Sequence, residues 1–191
     1  MLFENVTEQK MHFITQGIQY YILGRISRLK LTGAFHNVSA ILFHHAIEFF
    51  LKAVLSDYYT LDKLKKKGHN LPSLINLYKK QFPKSQVIEN IKFVKHFHKI
   101  YKTRYVQTDD SHRIGSYSYS INRNKRNIAI LKGKRLKFDI EFSLEEIDEV
   151  IFNICCDIKL SPTPIFEYIK QIAKNCPEFY EHNSFFNKAK N

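Results

Sequence analysis

The chain has 191 residues, of which 44% are hydrophobic and 14% aromatic, and it contains only six glycines and five prolines. This composition supports a substantial core and excludes collagen-like, low-complexity and globally disordered chains. The scarcity of glycine and proline also argues against a many-turned β fold and favours long helices. We therefore expect a predominantly all-α protein in which residues 1–191 form a single domain.

The net charge of +12 is concentrated in the middle of the chain. Residues 1–60 contribute +1 and residues 143–191 contribute −3, whereas residues 61–142 hold twenty basic against six acidic residues, which gives +14. A basic segment between near-neutral ends indicates a phosphate-bearing partner, and we expect RNA or a nucleotide. An acidic protein partner is the alternative for the same segment.

The cysteines and the hydropathy pattern indicate a cytoplasmic protein. Cys155, Cys156 and Cys176 cannot form a closed disulfide framework, which is typical of a reducing compartment. The N-terminal sequence has acidic residues and lacks the apolar region of a signal peptide. No stretch approaches ~18 uninterrupted apolar residues, so we expect no membrane span. Cys155 and Cys156 lie in an apolar helical stretch, and we expect both in the core.

The spacing of apolar residues predicts four helices in the first half of the chain. The first covers about residues 8–31, where isoleucines recur at steps of four. The second, about residues 37–57, is apolar on opposite sides and is therefore expected at the centre of a bundle. The third covers about residues 71–82, with Asn70 as its N-cap, and the fourth covers about residues 85–102.

The segment that follows differs from the rest of the chain. Residues 104–142 are polar and basic and have no helical period, so we expect a loop insertion. Within the insertion, Lys132-Gly133-Lys134 separates two short β-prone runs, which predicts a small hairpin.

Two further helices are predicted after the insertion. The fifth begins with a capping box formed by Ser143 and Glu146 and continues to about Leu160. The sixth covers about residues 165–175. We expect the polar tail after Pro177 to be only partly ordered.

One polar stripe crosses the otherwise apolar second helix. Its members lie within a sector of about 100° and are His44, His45, Glu48 and Lys52. Glu48 and Lys52 are four residues apart, in the order that favours an ion pair. The stripe is either a partly exposed salt bridge or the lining of a pocket or interface, and the sequence leaves both interpretations open.

Familiar enzyme and metal motifs do not occur in this sequence. It contains no glycine-rich phosphate loop, no nucleophile elbow and no helical zinc-protease motif. His44 and His45 are adjacent, and adjacent residues on a helix point about 100° apart. We therefore expect that they do not share a metal ion, and we predict no metal and no cofactor.

The predicted fourth helix carries a basic stripe on one face. Its lysines follow the spacing i, i+3, i+7 and i+10 and are Lys92, Lys95, Lys99 and Lys102. A row of lysines suits contacts with a phosphate backbone, which provide affinity without sequence choice and weaken with salt. We expect these four lysines to bind nucleic acid.

Three landmarks resemble the HEPN domain family. The run from Ala40 to Ala53, AILFHHAIEFFLKA, resembles its second-helix signature, in which a polar residue precedes Ala-x-Glu and Leu-Lys-Ala follows. The GHNL sequence at residues 68–71 resembles the next conserved segment of that family. Arg104-Tyr105 resembles the Arg-Tyr pair of members associated with minimal nucleotidyltransferases. The landmarks occur in the order of the family.

The resemblance covers about residues 8–105 and implies an up-and-down helical bundle that is often a homodimer. It also implies RNA- or nucleotide-related roles in prokaryotic defence, toxin–antitoxin pairs or stress. The partners it implies are a nucleotidyltransferase or an antitoxin protein. We expect the nucleotide site to include His45, Glu48, Lys52 and His69.

Many members of the family are metal-independent ribonucleases with a histidine four to six residues after an arginine. The resemblance would assign the scissile phosphate to Arg104 and proton transfer to His112. Seven residues separate this pair, however, and two of them are aspartates, which oppose an anionic substrate. We therefore expect binding without strong catalysis. One alternative is an endoribonuclease at a dimer cleft that uses this pair, or His45 and His69, and the other is an interaction module for an acidic partner.

Overall fold

A computed structural model describes residues 7–30, 36–100, 114–117, 130–131, 134–135, 140–160 and 165–188. Most of these residues are helical, which confirms the predominantly all-α prediction. In chain order the α-helices are α1 (Glu8–Lys30), α2 (His36–Leu55), α3 (Leu61–Lys66), α4 (Leu71–Gln81), α5 (Ile91–Phe97), α6 (Leu144–Cys156), α7 (Ile165–Ile172), α8 (Pro177–Tyr180) and α9 (Ser184–Lys188).

Helix α2 is the centre of the bundle, as its two-sided apolar pattern predicts. It packs most extensively on α1 and also contacts α4 and α6. Its fully buried side chains include Phe43, Ile47, Phe50 and Leu51. By length and mean hydropathy the stretch Asn37–Leu55 also qualifies as a membrane span, but 72% of it is buried inside the protein. This burial is that of a core helix.

Two glycines of α1 allow it to approach α2 closely. A Cβ atom at Gly24 would lie 2.7 Å from a ring atom of Phe43, and one at Gly17 would lie 3.2 Å from the ring of Phe50. Glycine in a helix interior costs about 1 kcal/mol relative to alanine. Here the cost is offset by the burial of two aromatic rings against the α1 backbone.

The prediction of one continuous helix over residues 85–102 is wrong. A short 3₁₀ helix covers Gln86–Ile88, and α5 begins only at Ile91 and ends at Phe97. The Ser85 hydroxyl caps the 3₁₀ helix by accepting from Val87 N, and it also donates to Asp157 Oδ2 at 2.6 Å. The spacing of apolar residues over residues 85–102 is that of an α-helix. The contact of Ser85 with Asp157, however, accompanies a 3₁₀ helix at the start of this segment.

The described residues also contain four short strands, β1 (Ile114–Tyr117), β2 (Ile130–Leu131), β3 (Lys134–Arg135) and β4 (Ile140–Ser143). The antiparallel pairing of β2 with β3 confirms the predicted hairpin. Strand β1 pairs in parallel with β4, and the sequence analysis missed this pairing. The analysis missed β1 because this segment has only four residues and no clear alternation of apolar and polar side chains, which is the usual signal of a strand.

Helix α6 begins as predicted and ends earlier than predicted. Ser143 and Glu146 form the capping box, with the Ser143 N to Glu146 Oε2 bond at 2.8 Å and the Glu146 N to Ser143 Oγ bond at 3.0 Å. The helix ends at Cys156 rather than near Leu160. Cys155 is buried as expected, but Cys156 is exposed because its side chain points about 100° away from that of its neighbour.

The expectation of a partly ordered tail after Pro177 is wrong for the described residues up to Lys188. They form α8 and α9, which return to the bundle. The rings of Phe179 and Phe186 are buried, with centroids 5.4 and 5.5 Å from that of Tyr21 on α1. Helix α7 is also shorter than predicted, and a 3₁₀ turn over Ala173–Asn175 follows it.

Candidate functional site

Glu48 on α2 is the centre of a buried polar group. Its side chain is only 1% exposed. Its Oε1 accepts a hydrogen bond from Lys52 Nζ at 2.6 Å. Its Oε2 lies 2.8 Å from Nδ1 of His69 and 3.5 Å from Nδ1 of His45. A carboxylate this deeply buried requires such partners, because they offset the loss of its hydration.

Helix periodicity and one turn explain this convergence. Glu48 follows His45 by three residues and precedes Lys52 by four, so all three side chains meet on one face of α2. His69 approaches from the turn between α3 and α4. There Gly68 adopts the left-handed φ of 54°, and the Asn70 side chain accepts from Ser73 N at 3.0 Å to cap α4.

Two further imidazoles extend this group. Nε2 of the buried His44 lies 3.2 Å from Nδ1 of His98, which follows α5, and the two rings stack with centroids 5.5 Å apart. The ring centroid of His45 lies 5.2 Å from that of His69. Nδ1 of His45 is buried, and its 3.5 Å contact with Glu48 Oε2 is the closest polar contact that it makes among the described residues. We refer to His44, His45, Glu48, His69 and His98 as the Glu48 cluster.

The protonation states in the Glu48 cluster follow from burial and contacts. Burial lowers the pKa of His44 to about 3, although the nearby Glu48 opposes this shift. Burial acts to raise the pKa of Glu48, but its contacts with His45, Lys52 and His69 outweigh burial and lower it to about 2. At neutral pH the cluster therefore presents an ionised carboxylate beside a neutral imidazole at His44.

A cleft of about 480 Å³ adjoins the cluster at Lys52. Helices α1, α2 and α3 line it, and its other lining residues are Glu8, Gln9, His12, Phe13, Leu61 and Lys65. The Lys52 ammonium also lies 5.9 Å from the ring centroid of Phe49. Because Lys52 both contacts Glu48 and lines the cleft, it connects the buried cluster to a solvent-accessible space with two lysines and a histidine.

The segment of residues 61–100, which contributes Lys65 to the cleft and His69 to the cluster, is rich in exposed lysines. Residues 61–100 contain ten lysines, no arginine and only two acidic residues. Nine of the ten lysines are exposed, and none lies within ion-pair distance of a carboxylate in the described part of the chain. Lys95 and Lys99 are exposed on either side of His98 in the sequence. Since His98 stacks on His44, this surface reaches the Glu48 cluster.

The predicted site residues fall into three groups. His45, Glu48, Lys52 and His69 lie together, as the predicted site requires. The lysines Lys92, Lys95 and Lys99 are exposed, the first two on α5 and the third in the turn after it. The remaining predicted residues, Lys102, Arg104 and His112, lie outside the described residues.

Sequence reasoning missed the role of two histidines. The argument that His44 and His45 cannot converge is wrong, because one ligand atom from each of them and from Glu48 lies within 4.8 Å of the others. Glu48 is three residues from one histidine and four from the other, and both rings turn toward it. The i, i+4 spacing of His44 and Glu48 was a usable signal. Nothing in the sequence pairs His44 with His98, which is 54 residues away.

Comparisons of the chain with known protein families, with curated proteins and with solved structures yield no match. Function is therefore inferred from the geometry and charges of the described residues. The resemblance of residues 40–53 and 68–71 to HEPN domains stays a prediction from the sequence.

Proposed function

We propose that the protein binds RNA or a nucleotide through phosphate contacts from the lysine-rich surface of residues 61–100. The observation that carries this proposal is a segment with ten lysines and only two acidic residues, whose lysines have no carboxylate within ion-pair distance in the part of the chain that the structure describes. Unpaired ammonium groups favour a polyanion because each contact releases a counterion from its phosphate backbone. The cleft beside Lys52 and Lys65 offers a place for one phosphate group at the edge of this surface.

The choice of lysine over arginine favours a nucleic acid over an acidic protein. Protein–protein interfaces are enriched in arginine and depleted in lysine. The bidentate pairing of arginine serves carboxylates and phosphates alike and does not discriminate between these partners. Residues 61–100 contain no arginine. Lysine acts as a mobile point charge, which suits a repeating phosphate backbone.

The resemblance to HEPN domains supports the same proposal. Two of the landmarks contribute residues to one group, since Glu48 of the second-helix signature lies 2.8 Å from His69 of the GHNL segment. In this proposal the protein is a HEPN-like, cytoplasmic homodimer that binds RNA or a nucleotide beside a nucleotidyltransferase or an antitoxin protein.

RNA binding is expected to weaken steeply with salt and to depend on Lys92 and Lys95 of α5 and on Lys99, which follows this helix. The test measures fluorescence anisotropy of a labelled single-stranded RNA oligonucleotide over a series of salt concentrations. Each lost phosphate contact reduces the slope of log K against log salt by about 0.7. Replacing Lys92, Lys95 and Lys99 with glutamine should therefore weaken binding and reduce the slope by roughly 2.

The matched control removes the same charge elsewhere, by replacing Lys159, Lys170 and Lys174 with glutamine. This control should bind RNA as tightly as the unmodified chain. A flat salt dependence, or equal losses in the two triple variants, would contradict a phosphate-binding surface at α5. Competition by an acidic peptide as effective as that by RNA would favour the interaction module instead.

A metal-independent endoribonuclease is the second candidate function. The observation in its favour is the pair of imidazoles of His45 and His69, whose centroids are 5.2 Å apart and which both face Glu48. The side chain of His69 is 42% exposed and so accessible to a substrate. Two such imidazoles can serve as the base and the acid in attack by a 2′-hydroxyl, and Lys52 can stabilise the phosphate charge.

This candidate predicts RNA cleavage that persists in the presence of a chelator. Cleavage should fall at least about a hundredfold in His69→Gln, the typical contribution of a general acid or base. His96→Gln is the matched control, because His96 is an exposed histidine of α5 outside the cluster. Intact RNA after incubation with the unmodified protein would contradict this candidate and would leave binding as the activity to be tested.

A further inference from the structure

The Glu48 cluster contains an arrangement of donors that RNA binding does not require. One ligand atom from each of His44, His45 and Glu48 lies within 4.8 Å of the other two. We propose that these three residues, with His98 as the fourth ligand, bind a divalent transition-metal ion of the zinc class. This proposal is independent of RNA binding by the lysines of residues 61–100, because it concerns other side chains and another ligand, but it shares His45 and Glu48 with the ribonuclease candidate.

Two helical spacings hold the first three ligands in place. His44 and Glu48 are four residues apart, and His45 and Glu48 are three apart, so each pair occupies neighbouring positions on α2. The helix is buried on several sides, which fixes its backbone and limits the rotamers of these side chains. The donors lie within 4.8 Å of one another, so they can converge on one ion, whose ligands lie at about 2.0–2.2 Å, if the side chains turn toward it.

The contact between His44 and His98 has the separation expected of two ligands. Their Nε2 and Nδ1 atoms are 3.2 Å apart. Two nitrogens bound to one tetrahedral zinc ion at about 2.05 Å lie about 3.3 Å from each other. For His98 to enter the coordination sphere, the proton that this contact shares must leave, and both rings must turn their lone pairs toward the ion.

The buried Nδ1 of His45 supplies an independent observation. This atom lies 3.5 Å from Glu48 Oε2, within ion-pair distance, and makes no closer polar contact among the described residues. So long a contact satisfies a buried nitrogen only weakly, and a metal ion would use its lone pair. Lys52 occupies Oε1 of Glu48, while Oε2 is the oxygen that faces His45. His69, at 2.8 Å from Oε2, acts as an outer partner that orients the carboxylate.

The chemistry of the donors selects the class of ion. Three imidazoles and one carboxylate suit Zn²⁺, Co²⁺, Ni²⁺ or Cu²⁺, whereas Mg²⁺ and Ca²⁺ require mainly oxygen ligands. A divalent ion would also repel the Lys52 ammonium, which can then turn into the cleft that it already lines.

Metal titration of the full chain without RNA tests this proposal. Chelator-treated protein is titrated with Zn²⁺ by calorimetry and with Co²⁺ by visible absorption, which reports tetrahedral coordination. We expect one ion per chain. His45→Gln and His98→Gln should each weaken binding by more than about tenfold, the lower limit for loss of even an outer partner. His96→Gln, at an exposed position of α5 outside the cluster, should bind like the unmodified chain.

The variants avoid His44, which is so deeply buried that its replacement can prevent folding. Thermal melting without metal checks that His45→Gln and His98→Gln remain folded, and if one unfolds, the other alone decides the proposal. Binding of less than one ion per chain, an equal loss in His96→Gln, or Mg²⁺ binding as tight as Zn²⁺ binding would each overturn the assignment.

Discussion

Replacing Asp148 with asparagine is expected to lower the free energy of unfolding by about 3–5 kcal/mol, the usual cost of removing one partner from a buried ion pair. Asp148 of α6 and Arg25 of α1 form such a pair, with side chains that are 1% and 0% exposed. The substitution preserves the shape of the side chain but leaves the guanidinium of Arg25 without a counterion. The variant should therefore lose stability through charge rather than through packing.

The effect should be large because Asp148 also orients its neighbours. Its Oδ1 accepts from the Tyr21 hydroxyl at 2.6 Å, and the same hydroxyl accepts from Asn183 Nδ2 at 3.0 Å. Burial raises the pKa of Tyr21 well above its ordinary value, so this hydroxyl keeps its proton and remains a donor. Arg25 also donates to the backbone carbonyl of Glu181. One buried pair thus connects α1 and α6 to the turn between α8 and α9.

Urea denaturation followed by circular dichroism measures the change in stability. Glu149→Gln is the matched control, because Glu149 is the next residue of α6 and is half-buried without an ion pair in the described part of the chain. Its stability should change by less than about 0.5 kcal/mol. Equal stability of the two variants would show that the Arg25–Asp148 pair contributes little. In the Asp148→Asn variant, the amides of α8 and α9 should be the first to lose protection from hydrogen exchange, because this network holds these helices against α1.

The elements that could be predicted from the sequence are those with local signals. Helices α1 and α2 have continuous apolar periodicity, α4 has the Asn70 cap, and α6 has the Ser143 capping box. The predicted fourth helix began too early because the Ser85–Asp157 contact, which lies at the start of this segment before its 3₁₀ helix, joins residues 72 positions apart. The order of the C-terminal tail depends in the same way on rings that pack on Tyr21, more than 150 positions away.

The candidate site was predictable to the same extent. The stripe on α2 and the Glu48–Lys52 contact follow from i, i+4 spacing alone. The Arg25–Asp148 pair joins residues 123 positions apart and has no sequence signal, because neither residue belongs to a recognisable pattern. The contact of His44 with His98 likewise comes only from tertiary packing, because the two residues are 54 positions apart. Long-range polar pairs therefore require the structure, whereas helical neighbours do not.

Replacing Glu48 with glutamine should lower the free energy of unfolding by about 3 kcal/mol. The substitution leaves the Lys52 ammonium buried beside an amide. The loss of stability lies at the lower end of the range for a broken buried ion pair, because Lys52 can turn toward the cleft. Lys52→Met should cost less, since His69 still contacts the carboxylate. The double variant should be more stable than the sum of the single effects predicts, by about 0.5–3 kcal/mol.

This double-mutant cycle decides between the two interpretations of the α2 stripe. If the stripe is only a salt bridge, the Glu48→Gln/Lys52→Met variant recovers stability and binds RNA as tightly as the unmodified chain in the anisotropy assay. If Lys52 contacts phosphate in the cleft, RNA affinity stays reduced after stability has recovered, because methionine restores packing but no charge. The separation of the two readouts is possible because Lys52 contacts Glu48 and lines the cleft at the same time.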